Sequence, residues 1–397
     1  MLEEKFVKEI LNGIHIPARI SELSHGFYRY PARFSPFFAR GIIKAFTTPG
    51  DLVLDPFMGG GTTLVEACAL GRNAIGVDIS SLATFVSRVK TLSLSEHDFD
   101  CLEKWLKALP EILNIRENVE KIEETHCSQY QINLHKRSTW RIRKLIELSL
   151  STTHDLPTNY LQDFARCIIL STAQWALDCR KTIPCTNEFR DHLLTNFIRM
   201  NTGAKQFSIA VRKSKPVANA KRKYQAICLQ RSTAGIENMN LFSKNSPKLI
   251  LTSPPYPGIH VLYHRWQIQS RRETPAPFWI ANREDGTGSS HYTFGDRKQK
   301  NLPLYYDNLF RCFSSLAKIC ASNTLIVQVI GFSDSKWQLP QYLDVLNLAG
   351  FQEIKYPSLA NDEDKRLWRK IPNRKWYAEK EKNRASGKEV VLFHKIY

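Results

Sequence analysis

Short apolar runs alternate with segments of helical apolar spacing in the first 90 residues and again from residue 224 onwards. The runs predict buried strands at 51–55, 73–78, 223–229, 247–252, 324–330, 351–356 and 389–393. Helical spacing follows the first of these strands and returns at about 303–320. This alternation predicts an α/β fold with a doubly wound sheet, in which ligands bind at the carboxyl ends of the strands.

The middle of the chain has a different pattern, which predicts mostly helices. Helix-type apolar spacing is found at 98–113, 141–150, 158–177 and 188–200. We therefore predict a chain of two parts. Residues 1–90 and 224–397 form an α/β domain, and residues 91–223 form a mostly helical insert between its halves.

Three consecutive glycines follow the first predicted strand, and Thr62 or Thr63 is placed to cap a helix after them. Glycine lets the backbone turn sharply and lets a ligand approach without a Cβ in the way. Asp78 ends the next strand 17 residues after Gly61, close to the spacing of a ribose-hydroxyl acceptor in a nucleotide-binding βαβ unit. The unit predicts a site for a nucleoside cofactor; a dinucleotide site and an ordinary strand–helix turn are the alternatives.

A second candidate loop follows the strand predicted at 247–252 and reads Ser-Pro-Pro-Tyr, residues 253–256. Consecutive prolines fix φ and restrict the residue before them, so the loop is rigid. Because it also stands at the carboxyl end of a strand, we expect it on the same edge of the sheet as the glycine turn. A rigid loop without a chemical role is the alternative.

The two segments together resemble the amino-methylating (N4-cytosine and N6-adenine) site-specific DNA methyltransferase family. Asp55–Thr62 resembles the motif I with which that family binds S-adenosylmethionine, and Ser253–Tyr256 resembles its motif IV. Phe27–Pro36 is similar to a segment that precedes motif I and encloses the methionine end of the cofactor. The resemblance covers residues 24–80 and 224–263 and implies a Rossmann-like methyltransferase sheet.

The resemblance also implies roles for particular side chains. The cofactor-binding residues would be Phe34, Asp55, Pro56, Phe57, Gly59, Gly61, Thr62 and Asp78. The catalytic residues would be Ser253, Pro254, Pro255 and Tyr256. An exocyclic amino nitrogen is a poor nucleophile because its lone pair is delocalised into the ring. The Ser253 hydroxyl and the Pro254 carbonyl would accept its N–H groups, while the Tyr256 ring would stack on the flipped base.

The target base is less narrowly predicted. In the family, serine at the position of Ser253 is commoner among enzymes that methylate N4 of cytosine, which favours that reaction here. Methylation of N6 of adenine in DNA is the first alternative. An RNA guanine-N2 methyltransferase and a DNA-binding relative without catalytic activity are the others.

The charge balance favours a polyanionic partner, which we expect to be double-stranded DNA. The chain of 397 residues has 56 Lys and Arg against 38 Asp and Glu, a net charge of +18 and a pI near 9.5. The order of the two motifs resembles the family order in which target recognition lies between them, which implies the helical insert as the DNA-recognition region.

Lys221, Arg222 and Lys223 lie in a basic stretch without acids and are candidate phosphate contacts; a solvated connector is the alternative. Arg265, Arg271 and Arg272 lie among aromatic residues that suit base insertion and are the other candidate DNA contacts; aromatic residues that only pack the loop onto the domain are the alternative.

The remaining composition predicts neither a metal site nor a membrane span. Nine cysteines are scattered without ligand spacing, and no apolar run reaches the 18 or so residues that a membrane helix needs. We therefore expect a cytoplasmic protein of a bacterium or archaeon, associated with the nucleoid through DNA. The sequence leaves open the oligomeric state and whether a cognate restriction or phage-defence component exists.

Overall fold

A mostly parallel β-sheet forms the centre of the computed structural model. The structure describes residues 2–16, 22–31, 33–116, 127–214, 226–243, 245–259, 265–269, 272–285, 289–295, 298–370 and 388–397. The strands are β1 Leu52–Asp55, β2 Asn73–Asp78, β3 Ala226–Gln230, β4 Leu249–Thr252, β5 Trp266–Ile268, β6 Arg272–Thr274, β7 Leu325–Gly331, β8 Phe351–Ile354, β9 Leu367–Lys370 and β10 Lys388–Ile396.

The strand order of the central sheet is β3-β2-β1-β4-β7-β10-β8, with β9 paired to the other half of β10. The first five strands in this spatial order, from β3 to β7, are parallel, whereas β10 runs antiparallel to β7, β8 and β9. β5 and β6 form a separate antiparallel pair. The glycine turn after β1 and the loop after β4 follow adjacent strands and therefore meet at one edge.

Helices cover both faces of the sheet and also form a separate layer. They are α1 Glu4–His15, α2 Pro36–Phe46, α3 Thr62–Ala69, α4 Ser81–Lys90, α5 Glu96–Ile112, α6 Cys127–Tyr130, α7 Trp140–Ser151, α8 Asn159–Leu177, α9 Thr186–Lys213, α10 Ala276–Ala281, α11 Pro303–Ala317 and α12 Ser335–Leu348. Among the helices of the described residues, none combines the length and the apolar character needed to cross a bilayer.

Alternate side chains of the central strands enter different cores. Val53 and Leu251 pack with helices α1, α2 and α3, while Leu54 and Ile250 pack with α11 and α12 on the opposite face. Successive side chains of a strand point to opposite faces, so a sheet covered on both sides needs a continuous apolar run. The predicted doubly wound α/β sheet is confirmed.

A third core lies among helices α5, α7, α8 and α9. It includes Phe85 of α4, a helix that packs on β2 and β3, so the helical layer is packed directly onto a helix that flanks the sheet. Phe278 of α10 lies in the same core. α5 begins at a capping box in which Ser95 and Asp98 each accept the other's backbone N–H. This packing places the helical layer beside the segment that follows the loop at 253–256.

The sequence pattern predicts most of these elements correctly. β1, β2, β4 and β7 and helices α5, α7, α8 and α9 are confirmed within a few residues of the predicted bounds, apart from the longer C-terminal end of α9. Strands are also found at the predicted 351–356 and 389–393, as β8 and β10, and these two pair antiparallel. The pattern missed α12, which contains Pro340, and β9, which lies in a basic stretch where Arg369 faces the interior.

Candidate functional site

The glycine turn after β1 is held open by backbone conformations that favour glycine. Gly59 and Gly61 have φ values of 45° and 74°, in the left-handed region. A Cβ on Gly61 would lie 2.7 Å from the Ser87 hydroxyl oxygen. The Asp78 carboxylate accepts the backbone N–H of Gly59 at 2.9 Å and that of Ser80 at 2.8 Å. The acid at the end of β2 therefore ties that strand to the turn.

Helix α4 holds the same turn from the other side. Ser87 donates its hydroxyl to the Gly59 carbonyl at 3.0 Å, and the Lys90 ammonium donates to the Gly60 carbonyl at 2.8 Å. Lys90 is 1% exposed, and burial lowers its pKa to about 7. The sequence analysis missed both residues, although their spacing of three places them on the same side of the helix.

Asp55 links the glycine turn to the loop after β4. Its carboxylate accepts the Thr252 hydroxyl at 2.7 Å and the Phe57 backbone N–H at 3.2 Å. The side chain is 2% exposed, and burial raises its pKa to about 6. Asp55 therefore lies beneath the turn, where it aligns the ends of two adjacent strands.

The loop at 253–256 is fixed by contacts from three directions. The Tyr256 ring packs on Gly331 so closely that a Cβ there would lie 2.9 Å from two ring carbons. The Tyr256 hydroxyl donates to Glu389 Oε1 at 2.7 Å and accepts from Ser253 Oγ at 3.2 Å. The Tyr305 hydroxyl donates to the Pro255 carbonyl at 2.7 Å. The rigidity expected from the two prolines is thus reinforced by β7, α11 and β10.

One cleft joins the turn and the loop. It encloses about 650 Å³ of space between protein atoms, including the solvent at its mouth. Its lining consists of Tyr30, Pro31, Pro56, Phe57, Gly59, Asp78, Ile79, Arg231, Ser232, Thr233, Ser253, Pro255, Tyr292, Phe294 and Cys312. Two motifs about 195 residues apart in sequence therefore share a single cavity at the carboxyl ends of β1, β2 and β4.

Six of the predicted site residues line this cleft: Pro56, Phe57, Gly59, Asp78, Ser253 and Pro255. The others lie around it. Phe34 packs edge-to-face on Phe38 in the core, and Thr62 is buried at the start of α3. Pro254 is buried, and Tyr256 is half-buried behind Ser253. Within the described residues, the cleft lining contains neither these four side chains nor Asp55 and Gly61.

The structure adds lining residues that the sequence analysis did not single out. Tyr30 lies in the segment that resembles the cofactor-enclosing region. Ser232 and Thr233 follow β3, and the Thr233 hydroxyl donates to the Pro56 carbonyl at 2.6 Å. Their position after a parallel strand was the available signal. Tyr292 and Phe294 come from a loop whose sequence carries no comparable signal.

The candidate DNA contacts are only partly described. Lys221, Arg222, Lys223 and Arg271 lie outside the described residues. Arg265 is half-buried, with guanidinium nitrogens 3.9 Å from carboxylate oxygens of Glu273 and Asp285. Arg272 is exposed on β6. Of these two, Arg272 is the more accessible to a phosphate. No group of three or more His, Cys, Asp or Glu side chains in the described part of the chain is arranged to hold a metal ion.

Comparison with known proteins gives matches centred on the glycine turn. The N6/N4 methyltransferase family model, described as DNA methylase, matches residues 4–84. The Type II methyltransferase M.MjaII of Methanocaldococcus jannaschii is 39% identical over 82 residues, which are 21% of this chain and 15% of that protein. The Type II methyltransferase M.MthZI of Methanothermobacter thermautotrophicus is 31% identical over 140 residues, 33% and 35% of the two chains.

The name of a third relative states the base that it methylates. The DNA adenine methyltransferase YhdJ of Escherichia coli is 40% identical over 63 residues, 16% of this chain and 21% of that protein. The chain thus spans only 15% to 35% of the length of these three relatives. The structure of an rRNA methyltransferase from Streptomyces viridochromogenes aligns with 94% of this chain and with 91% of its own length. At 10% sequence identity and a TM-score of 0.32, the likeness is too weak to support an argument. Residues 4–84 are therefore similar to the amino-methylating DNA methyltransferases, enzymes that use S-adenosylmethionine.

Proposed function

We propose that this chain is a site-specific DNA methyltransferase that uses S-adenosylmethionine to methylate an exocyclic amino group of a flipped base. The observation that carries the proposal is the single cleft lined by both Asp78 and Ser253. A cofactor held by the glycine turn and a base held by the loop after β4 would meet there. Holding two reactants in line is one of the largest contributions an active site can make.

The side chains of the cleft fit a nucleoside cofactor. Asp78 uses its two oxygens for two backbone N–H groups, and a carboxylate has further lone pairs to accept ribose hydroxyls. Burial raises its pKa to about 6, so the group is ionised at neutral pH. Phe57, Ile79 and Phe294 provide apolar surface for a purine ring. When bound, S-adenosylmethionine supplies an electrophilic methyl group on its sulfonium.

The loop residues would act on the amino nitrogen. The Ser253 oxygen and the Pro254 carbonyl accept its N–H groups and favour a pyramidal nitrogen with an available lone pair. Serine is not a general base at neutral pH, so Ser253 orients the nitrogen and the surplus proton leaves for solvent after methyl transfer. These acceptors are fixed before the base arrives and need no reorganisation during the reaction. The Tyr256 ring is the candidate stacking surface for the extruded base.

We infer that the target is N4 of cytosine, because serine stands at position 253. Methylation of N6 of adenine is the alternative, and it is supported by a relative named as a DNA adenine methyltransferase. The net charge of +18 supports duplex DNA as substrate, with the helical insert at 91–223 as the proposed recognition region.

The direct test is methyl transfer from labelled S-adenosylmethionine to matched DNA and RNA, with a control that contains no nucleic acid. We expect label only in DNA, and digestion followed by mass spectrometry should identify N4-methylcytosine. Ser253→Ala should lower turnover by about 10²–10³-fold, the scale for one preorganised polar group. Ser243→Ala, which changes an exposed serine, should keep the native rate. Label in RNA alone, or a native rate in Ser253→Ala, would contradict the proposal.

A further inference from the structure

A chain of hydrogen bonds leads from Ser253 into the antiparallel part of the sheet. Ser253 donates to the Tyr256 hydroxyl at 3.2 Å, and Tyr256 donates to Glu389 Oε1 at 2.7 Å. The second Glu389 oxygen accepts from the Arg369 guanidinium. Glu389 and Arg369 are 6% and 7% exposed, so solvent has little access to their end of this hydrogen-bond chain.

The inner end of this chain fixes its direction. A carboxylate can only accept hydrogen bonds and a guanidinium can only donate them, whereas a hydroxyl can do both. Because Glu389 accepts, the hydroxyl proton of Tyr256 lies in the bond to Glu389, and the Tyr256 oxygen accepts from Ser253. The hydroxyl proton of Ser253 therefore lies in the bond to Tyr256. What Ser253 presents to the cleft is its oxygen lone pairs alone.

We propose that Glu389 is a positioning residue that makes Ser253 an acceptor-only group toward the substrate amino nitrogen. The inference rests on the proposed function of the loop. An amino group offers N–H donors, and a serine free to rotate could instead point its own proton at them. An asparagine carbonyl oxygen would accept without such help, whereas a hydroxyl needs its proton drawn away. Arg369 holds Glu389 in place for this purpose.

The surroundings of Tyr256 keep the chain in this state. Its ring is packed on Gly331, which restricts rotation of the side chain. Burial, together with the adjacent Glu389 carboxylate, raises the pKa of Tyr256 well above its ordinary value, so the hydroxyl remains a donor over the working pH range. Arg369 is anchored in turn by a bond to the Ile14 carbonyl at 3.4 Å.

Single-turnover methylation by three variants tests the inference. Tyr256→Phe keeps the ring but removes the relay hydroxyl, and Glu389→Gln keeps the shape but can reverse the direction of the chain. Each should slow methyl transfer by about 5- to 20-fold, the value of one hydrogen bond, with cofactor and DNA affinity unchanged. Because the two residues act through one chain, the double variant should be no slower than the slower single variant.

A matched control is available in the same sheet. Glu353 accepts two bonds of 2.7 Å from Arg366 beside the β8–β10 pairing and does not touch the loop. Glu353→Gln removes a comparable carboxylate and should keep the native rate of methyl transfer. If Glu389→Gln fails to fold, as judged by its melting curve, the comparison of Tyr256→Phe with native protein still decides the matter.

A rescue experiment separates orientation from a merely structural role. In a Ser253→Asn background the amide oxygen accepts unaided, so adding Tyr256→Phe should change the rate by less than about twofold, within the additivity error. Native rates in both Tyr256→Phe and Glu389→Gln would overturn this inference, as would losses that multiply in the double variant. If Ser253→Ala is inactive in that case, the proposed function stands; if Ser253→Ala has the native rate, the proposed function fails instead.

Discussion

Replacing Lys90 by methionine should change the pH dependence of stability in a calculable way. Lys90 is buried beside Arg33 and Arg199, whose positive charges disfavour a further one. Burial lowers its pKa from 10.5 to about 7 in the folded protein. Between pH 7 and pH 10.5, Lys90 is protonated in a larger fraction of unfolded than of folded molecules. The free energy of unfolding therefore rises with pH over this range. The contribution is at most about 1.4 kcal/mol per pH unit.

Between pH 7 and 9 the native protein should therefore gain about 2 kcal/mol of unfolding free energy relative to Lys90→Met, allowing for partial protonation at pH 7. Urea unfolding of both proteins across this range measures the difference. Lys8→Met removes an exposed lysine beside Glu4, and its curve should run parallel to the native one. Parallel curves for Lys90→Met would refute the buried-ammonium account. Loss of the bond to the Gly60 carbonyl should also weaken cofactor binding.

Three further changes test the turn and the DNA surface. Asp78→Ala should weaken S-adenosylmethionine binding by about 1.5–3 kcal/mol in calorimetry. In the native protein, affinity for S-adenosylmethionine should fall as the pH drops below about 6, the pKa of Asp78. Unchanged affinity in a folded Asp78→Ala variant would remove Asp78 from the site. Gly61→Ala should destabilise the fold by about 1–3 kcal/mol more than Gly50→Ala, because both have positive φ but only Gly61 would place a Cβ against Ser87; equal urea midpoints would contradict this. Arg272→Ala should reduce the log–log salt slope of DNA binding by about 0.9 per lost phosphate contact, whereas an unchanged slope would mean that Arg272 is only solvated.

The parts of the site that could be predicted are those encoded in short contiguous segments. The turn at 59–61 needs glycine for positive φ, and Asp78 follows a continuous apolar strand, so both are visible in a window of about 25 residues. The rule that ligands bind at the carboxyl ends of parallel strands then brought Ser253 to the same edge without any coordinates.

The parts that could not be predicted depend on pairings between distant segments. Glu389 meets Tyr256 only because β10 inserts antiparallel beside β7, and nothing in the local sequence near 389 indicates that register. The same holds for Asp55, which the resemblance assigns to the cofactor but which bonds Thr252 below the cleft. Lys90 appeared as an ordinary basic residue near the end of a helix, because burial is not visible from charge alone.

The most direct test of the central claim is sequencing, with modified-base detection, of DNA from cells that express the native chain or Ser253→Ala. The proposal predicts an amino-methylated base, N4-methylcytosine, at one recurrent short sequence in the native sample and its near absence in the variant. N6-methyladenine at such a sequence would correct the base and retain the reaction. Equal modification in both samples, or no amino-methylated base above the level of cells without the protein, would contradict the assignment of the Ser253–Tyr256 loop to methyl transfer.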